Sequence, residues 1–442
     1  MNFRYARQER DRVETRGICV VAAILVWVLL AALPVLRAQG AQGDEHWVGT
    51  WATAVVEQAA TPTGQQAPAP PAFANQTLRQ IVHVSLGGDQ VRIVLSNTFG
   101  TQPLEVGAAQ IAVRAENATI VPASRRALTF GGRLATLIPA GAVVFSDPVR
   151  VRVPALADLA IDLYLPGDTA AVGSPLTTHS AASQTSYVST PGNHAGADEL
   201  PVMTTIPDWF FLSRVEVLAP ETVGAVVILG DSIADGTGST PDTNNRWPDH
   251  LARRLAAANI ELGVLNLGIA GNRVLSDGLG VNALARFDRD VLAQSGVTHV
   301  IFMEGVNDIG LASNELGLPR SDSPPTAEEI IFGHQQVIAR ARAQGLKIYG
   351  ATLTPFEETA IPVVPNYWTA GGDATRQAVN AWLRSGQGYD EIIDFDVVMR
   401  SPEAPTRFLP EYDSGDHLHP GDTGYVAMAE AVDLELLKVD TR

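Results

Sequence analysis

The chain has 442 residues, more than one hydrophobic core usually serves, so two domains are expected. Hydrophobic residues make up 46% and charged residues 18% of it, a balance that argues against a disordered or a fibrous protein. The formal net charge of −17 argues against nucleic acid as a partner, because phosphate binding needs clustered Lys and Arg and no basic stripe occurs outside the N-terminus.

The first segment carries charge from Met1 to Arg16, then an unbroken apolar run from Ile18 to Leu36, then small and polar residues including Ala38, Gly40 and Ala41. This is the pattern of an export signal, so residues 1–43 are expected to be a signal peptide and the protein to be secreted or periplasmic. The run is also long enough to span a bilayer, which makes an uncleaved anchor the competing reading and the only one with a membrane as partner. The sole cysteine, Cys19, opens the apolar run, so the mature chain is expected to hold no disulfide.

Thr61 to Ala72 is too rich in Pro and polar residues for a regular element and reads as an exposed loop. The region that follows is rich in short strands. Leu78–Ser85 runs into the turn Gly87-Gly88-Asp89 and then Val91–Leu95, and further strands are expected at Gln110–Val113, Val143–Phe145, Val149–Val153 and Leu159–Leu165. Residues 44–215 therefore read as an all-β accessory domain of sandwich or jelly-roll type.

Past Pro220 the period changes. Apolar strands are expected at Ala225–Leu229, Leu262–Leu267, Thr298–Phe302, Lys347–Thr352 and Glu391–Phe395, with amphipathic helices near 247–258, 281–294, 326–344, 373–384 and 421–437. Strands alternating with helices imply a parallel sheet covered on both faces. Residues 216–442 thus read as a three-layer α/β/α domain of flavodoxin-like type.

The first of these strands leads into Gly230-Asp231-Ser232-Ile233. A serine at that point leaves the sheet at its carboxyl edge, where ligands of open parallel sheets bind, although a cap for the next segment would look the same. A hydroxyl is a weak nucleophile until a base takes its proton, so a histidine oriented by a carboxylate should accompany it. Asp416-His417-Leu418-His419-Pro420 near the C-terminus supplies one. Donors for an oxyanion are offered at two further strand ends, Gly268-Ile269-Ala270-Gly271-Asn272 and Gly305-Val306-Asn307-Asp308. Each taken alone is equally well explained as turn chemistry.

In order along one α/β unit, these blocks resemble the SGNH hydrolase superfamily, the GDSL-like lipases and acylhydrolases. The matching positions are Gly230-Asp231-Ser232, Gly271, Gly305-x-Asn307-Asp308 and Asp416-x-x-His419, and Ile233 stands where the GDSL name has leucine. The resemblance implies Ser232 as nucleophile, His419 as general base and Asp416 as its orienter. It also implies an oxyanion hole made of the Ser232 N–H, the Gly271 N–H and the Asn307 amide, with no cofactor and no metal. It spans about 224 to 437. The N-terminal half more weakly resembles a bacterial subgroup described as arylesterases or carbohydrate deacetylases, through Trp47–Trp51, Leu78–Ser85 and Leu95–Gly100. Trp47 and Trp51 themselves read as packing residues rather than a sugar platform.

The resemblance therefore implies a secreted serine esterase acting on a small-molecule or polysaccharide ester, with acetyl esters foremost. The alternatives are a lipase or lysophospholipase and a non-catalytic surface carbohydrate-binding protein. An ordinary α/β-hydrolase would show Gly-x-Ser-x-Gly, and a zinc hydrolase a dense histidine cluster; neither pattern occurs, and of the nine histidines only His417 and His419 sit close together.

Overall fold

The computed structural model describes residues 44–58, 71–311, 324–362 and 364–439. The N-terminal segment 1–43 and most of the Pro-rich stretch 61–72 lie outside the described residues, and no helix among those described is long and apolar enough to cross a membrane.

Before residue 220 the strands are antiparallel. One sheet runs in the order Glu45–Ala52, Leu212–Pro220, Gly88–Ser96, Val149–Val153, with Val143–Phe145 also pairing with Gly88–Ser96. A second, six-stranded sheet is built around Ala74–His83 and Asp158–Asp168, paired so that Ile161 stands opposite Gln80 and, on its other side, opposite Ile111. Alternate residues of these strands, among them Leu78, Val82, Ile93, Leu95, Ile161, Leu163 and Val215, share one buried core. This is the period-two pattern of pleated strands with one face inward.

After residue 220 the strands are parallel, and the fold is mixed α/β. The five strands are Gly224–Gly230, Leu262–Gly268, Val297–Met303, Lys347–Ala351 and Glu391–Ile393, and their spatial order is second, first, third, fourth, fifth. The first strand is apolar on both faces because both are covered. Ala225, Val227 and Leu229 enter one core with the helices Ala327–Ala343 and Ala370–Arg384. Val226 and Ile228 enter another with Trp247–Ala257 and Asp422–Ala431. Val48, Ala52, Ala54 and Val56, from the very start of the antiparallel part, belong to the first of these cores.

Two helices differ from the sequence expectation. The helix expected at 281–294 is α-helical only over Ala283–Phe287 and continues as a wider π turn over Asp288–Leu292. That turn buries Asp290, whose carboxylate accepts from Arg286 at 3.1 Å and from Arg289 at 2.6 Å; such bulges insert one extra residue per turn and shift the helix's facing. The last helix ends at Ala431, and Asp433 caps a separate 3-10 turn at Leu434–Leu437. Residues from His46 onward pack as one compact unit.

Candidate active site

Gly230 ends the first strand opposite Gly268 of the second and Met303 of the third. The three connections that follow therefore leave the sheet side by side at its carboxyl edge, as ligand sites of such sheets require.

The first connection is a single helical turn, Ser232–Asp235, capped by Asp231, whose carboxylate accepts from the Ile233 N–H at 2.9 Å. The turn fixes Ser232 at the head of a short helix. His419 Nε2 lies 2.8 Å from Ser232 Oγ, and its Nδ1 lies 2.6 Å from Asp416 Oδ2. Asp416 also accepts from the backbone N–H groups of Leu418 and His419 at 3.0 and 2.8 Å. Partial burial pushes its pKa up, but the His419 hydrogen bond and charge outweigh this and hold it well below the usual carboxylate range. An ionised Asp416 keeps the Nδ1 proton in place and leaves Nε2 as the acceptor facing the serine. The structure thus joins Asp416, His419 and Ser232 in one hydrogen-bonded chain.

His417 stands outside that chain. Its Nδ1 meets Asp413 Oδ2 at 2.5 Å, its side chain is half-exposed, and its backbone takes the left-handed conformation, φ +62°.

The second connection carries Gly271 at φ +74°, a conformation that side-chain-bearing residues avoid. A Cβ there would also come within 2.3 Å of Leu279. Asn272, beside it, spends its amide on the Val281 carbonyl at 2.9 Å and its oxygen on Arg286, so it is a structural member of the loop. Asp308 in the third connection fixes this loop by accepting from the N–H groups of Val274 and Leu275 at 2.7 and 3.1 Å.

Asn307 opens the third connection on the short helix Val306–Gly310 and is 3% exposed. Its Oδ1 accepts from the Tyr367 hydroxyl at 2.8 Å, while its Nδ2 has no partner among the described residues. A buried, unspent amide donor is costly and calls for a ligand.

Beneath these groups lies Arg286, wholly buried. It donates to the carbonyls of Leu267 and Gly230 at 2.7 and 3.0 Å and to the carboxylates of Asp290 and Glu304 at 3.1 and 3.2 Å. One guanidinium therefore ties the ends of the first two strands to the residue that follows the third. Burial pushes the neighbouring carboxyls up, Asp231 to about 7, Asp308 to about 6 and Glu304 well above its ordinary value.

Sequence reasoning singled out Ser232, Asp416, His419, Gly271 and Asn307 and missed Arg286 and Tyr367. Arg286 sits in a segment that reads as an ordinary amphipathic helix, and Tyr367 in a connection without a regular pattern, so neither carries a local signal. No group of three or more His, Cys, Asp or Glu side chains able to hold a metal ion occurs among the described residues.

No curated protein matches the chain in sequence. Solved structures match about half of the chain. A GDSL-like lipase from Bacteroides thetaiotaomicron is 17% identical, with 49% of this chain and 89% of that one covered and a TM-score of 0.35. An aryl esterase from M. smegmatis is 15% identical, covering 49% and 100%, with a TM-score of 0.38. A carbohydrate acetylesterase family member from Sinorhizobium meliloti is 19% identical, covering 48% and 96%, with a TM-score of 0.37. The family model for GDSL-like lipases and acylhydrolases matches residues 228–427, a stretch that runs from inside the first parallel strand to the last helix and includes Ser232, Gly271, Asn307, Asp416 and His419. By this match residues 228–427 are a GDSL-like lipase/acylhydrolase domain, which supports a carboxylic ester hydrolase.

Proposed function

We propose that the protein is a serine esterase that forms an acyl-enzyme on Ser232 and takes short-chain acyl esters, acetyl esters foremost. The observation that carries this reading is the chain Asp416–His419–Ser232, with contacts of 2.6 and 2.8 Å, beside the buried Asn307 amide donor, which has no partner among the described residues. His419 Nε2 takes the Ser232 proton as Oγ attacks the ester carbonyl. The negative charge that develops on the carbonyl oxygen is met by Asn307 Nδ2 and by the N–H groups of Gly271 and Ser232. Collapse of the tetrahedral intermediate expels the alcohol, which receives the proton from His419. Water, deprotonated by the same imidazole, then attacks the acyl-enzyme, and His419 returns that proton to Ser232 Oγ as the acid leaves.

Support for an extracellular ester of a polysaccharide comes from the sequence: an export-type N-terminus, a net charge of −17 and an antiparallel β half ahead of the hydrolase unit. On this reading residues 1–43 are removed, 44–215 act as an accessory domain and 216–442 as a flavodoxin-like catalytic domain. The test is a panel of p-nitrophenyl esters of increasing acyl length together with acetylated xylan, run on wild type and on Ser232→Ala. Acetyl ester hydrolysis that falls steeply with chain length is expected. A preference for long acyl chains would replace this reading with a lipase.

A further inference from the structure

Asn307 is useful as an oxyanion donor only if its amide faces one way. With Nδ2 toward the substrate oxygen it stabilises developing charge; rotated by half a turn it would present Oδ1 and repel that charge. The short helix Val306–Gly310 does not decide between these orientations, because both keep the same backbone.

Tyr367 does. It lies in the connection between the fourth strand and the helix Ala370–Arg384, is 2% exposed, and places its hydroxyl 2.8 Å from Asn307 Oδ1. Its ring is held from two sides. Phe356 meets it edge-on, with ring centroids 5.9 Å apart at 88°. Gly310, one helical turn past Asn307, leaves room for it: a Cβ there would come within 2.3 Å of the ring. Burial, with the charges of Asp231, Asp308, Asp416 and Glu304, pushes the phenol far above its ordinary value, so the hydroxyl keeps its proton and remains a donor.

We propose that Tyr367 is a positioning residue of the oxyanion site, its O–H donated to Asn307 Oδ1 so that the amide is locked with Nδ2 toward the reacting carbonyl. The inference rests on reading Asn307 as an oxyanion donor. It adds that the orientation of this donor is set from the neighbouring connection and that Gly310 is required for it.

The test is a double-mutant cycle on p-nitrophenyl acetate, with Michaelis curves for wild type, Tyr367→Phe, Asn307→Ala and the double variant. Tyr367→Phe removes one oxygen and is expected to lower kcat about tenfold with KM changed less than about twofold. In the Asn307→Ala background the same change should have almost no further effect on kcat, because no amide remains to orient. A merely structural tyrosine would lower both backgrounds alike. Should Tyr367→Phe not fold, as judged by its melting curve, Tyr367→Met fills the space without the hydroxyl and carries the same expectation. Wild-type kcat in Tyr367→Phe, or equal losses in the two backgrounds, would overturn the inference while leaving Asn307 in place. Wild-type kcat in Asn307→Ala would overturn the oxyanion reading, and Tyr367's role with it.

Discussion

Asp235, three residues past Ser232, accepts from Nε2 of His179 at 2.9 Å, and the other ring nitrogen of His179 lies 2.7 Å from the Ala54 carbonyl. A carbonyl can only accept, so both nitrogens face acceptors and the ring is held as an imidazolium. Burial works against the charge, but Asp235 prevails and the histidine's pKa is raised. The antiparallel half thus grips the short helix whose first residue is Ser232. Removing one member of a buried ion pair strands the other, so His179→Ala is expected to cost about 3–5 kcal/mol of stability. The check is the urea midpoint; an unchanged midpoint would show that the pair is dispensable.

Ser232→Ala should abolish turnover while the melting temperature stays within a few degrees of wild type. Loss of a nucleophile of this kind costs about 10⁴ to 10⁶ in kcat. A variant retaining more than about a tenth of the activity would remove Ser232 from the reaction.

The two neighbouring histidines should part company. His419 reaches Ser232 whereas His417 is held by Asp413, so His419→Ala is expected to be nearly inactive and His417→Ala to keep most of its kcat. Initial rates on one acetyl ester decide it, and the reverse ranking would move the base to His417.

Asn307→Ala is expected to lose about 10²- to 10³-fold in kcat, equivalent to about 3–4 kcal/mol, with KM changed only a few-fold. The charge its amide meets exists mainly in the transition state. Asn307→Asp should be worse, since a carboxylate repels the developing oxyanion. Full Michaelis curves for both variants make the comparison.

Stability should fall as pH rises from about 4 to about 8. Burial lifts Asp231 to about 7, so the folded chain keeps a proton that the unfolded chain releases near 4. Stability is lost across that window as the buried carboxyl is forced to ionise. His179 acts in the same direction, because its raised pKa gives stability that is present in mild acid and lost as the ring deprotonates. Asp416, held low, acts only in stronger acid, where its protonation removes the His419 contact. Urea midpoints at pH 5 and pH 8 measure the slope, and Asp231→Asn, which cannot ionise, should flatten it.

The five parallel strands were legible in the sequence as apolar runs, whereas Ser232, Gly271, Asn307, Asp416 and His419 stood out only because their blocks occur in order along one α/β unit; each block alone reads as a turn. The parts that were not legible depend on approach through space. Arg286, in the short helix Ala283–Phe287, reaches the carbonyls that end the first two strands only through space. Tyr367 is 60 residues from the asparagine it orients, and His179 is 56 from the aspartate it pairs with. No periodicity spans such gaps.

Val48, Ala52, Ala54 and Val56 belong to the buried core that the parallel sheet shares with the helix Ala327–Ala343. Apart from Leu86, packed at its margin, the rest of that core is made of Ala219 and residues that follow it. During synthesis this early strand must therefore remain unsatisfied while the intervening antiparallel segment emerges, and the α/β core closes only when the last part of the chain returns to it. Contacts of such long sequence separation slow folding and leave apolar surface open to aggregation in the interval. A chain trimmed to begin at the first parallel strand would keep every residue of the candidate site and still lack one wall of the core beneath it.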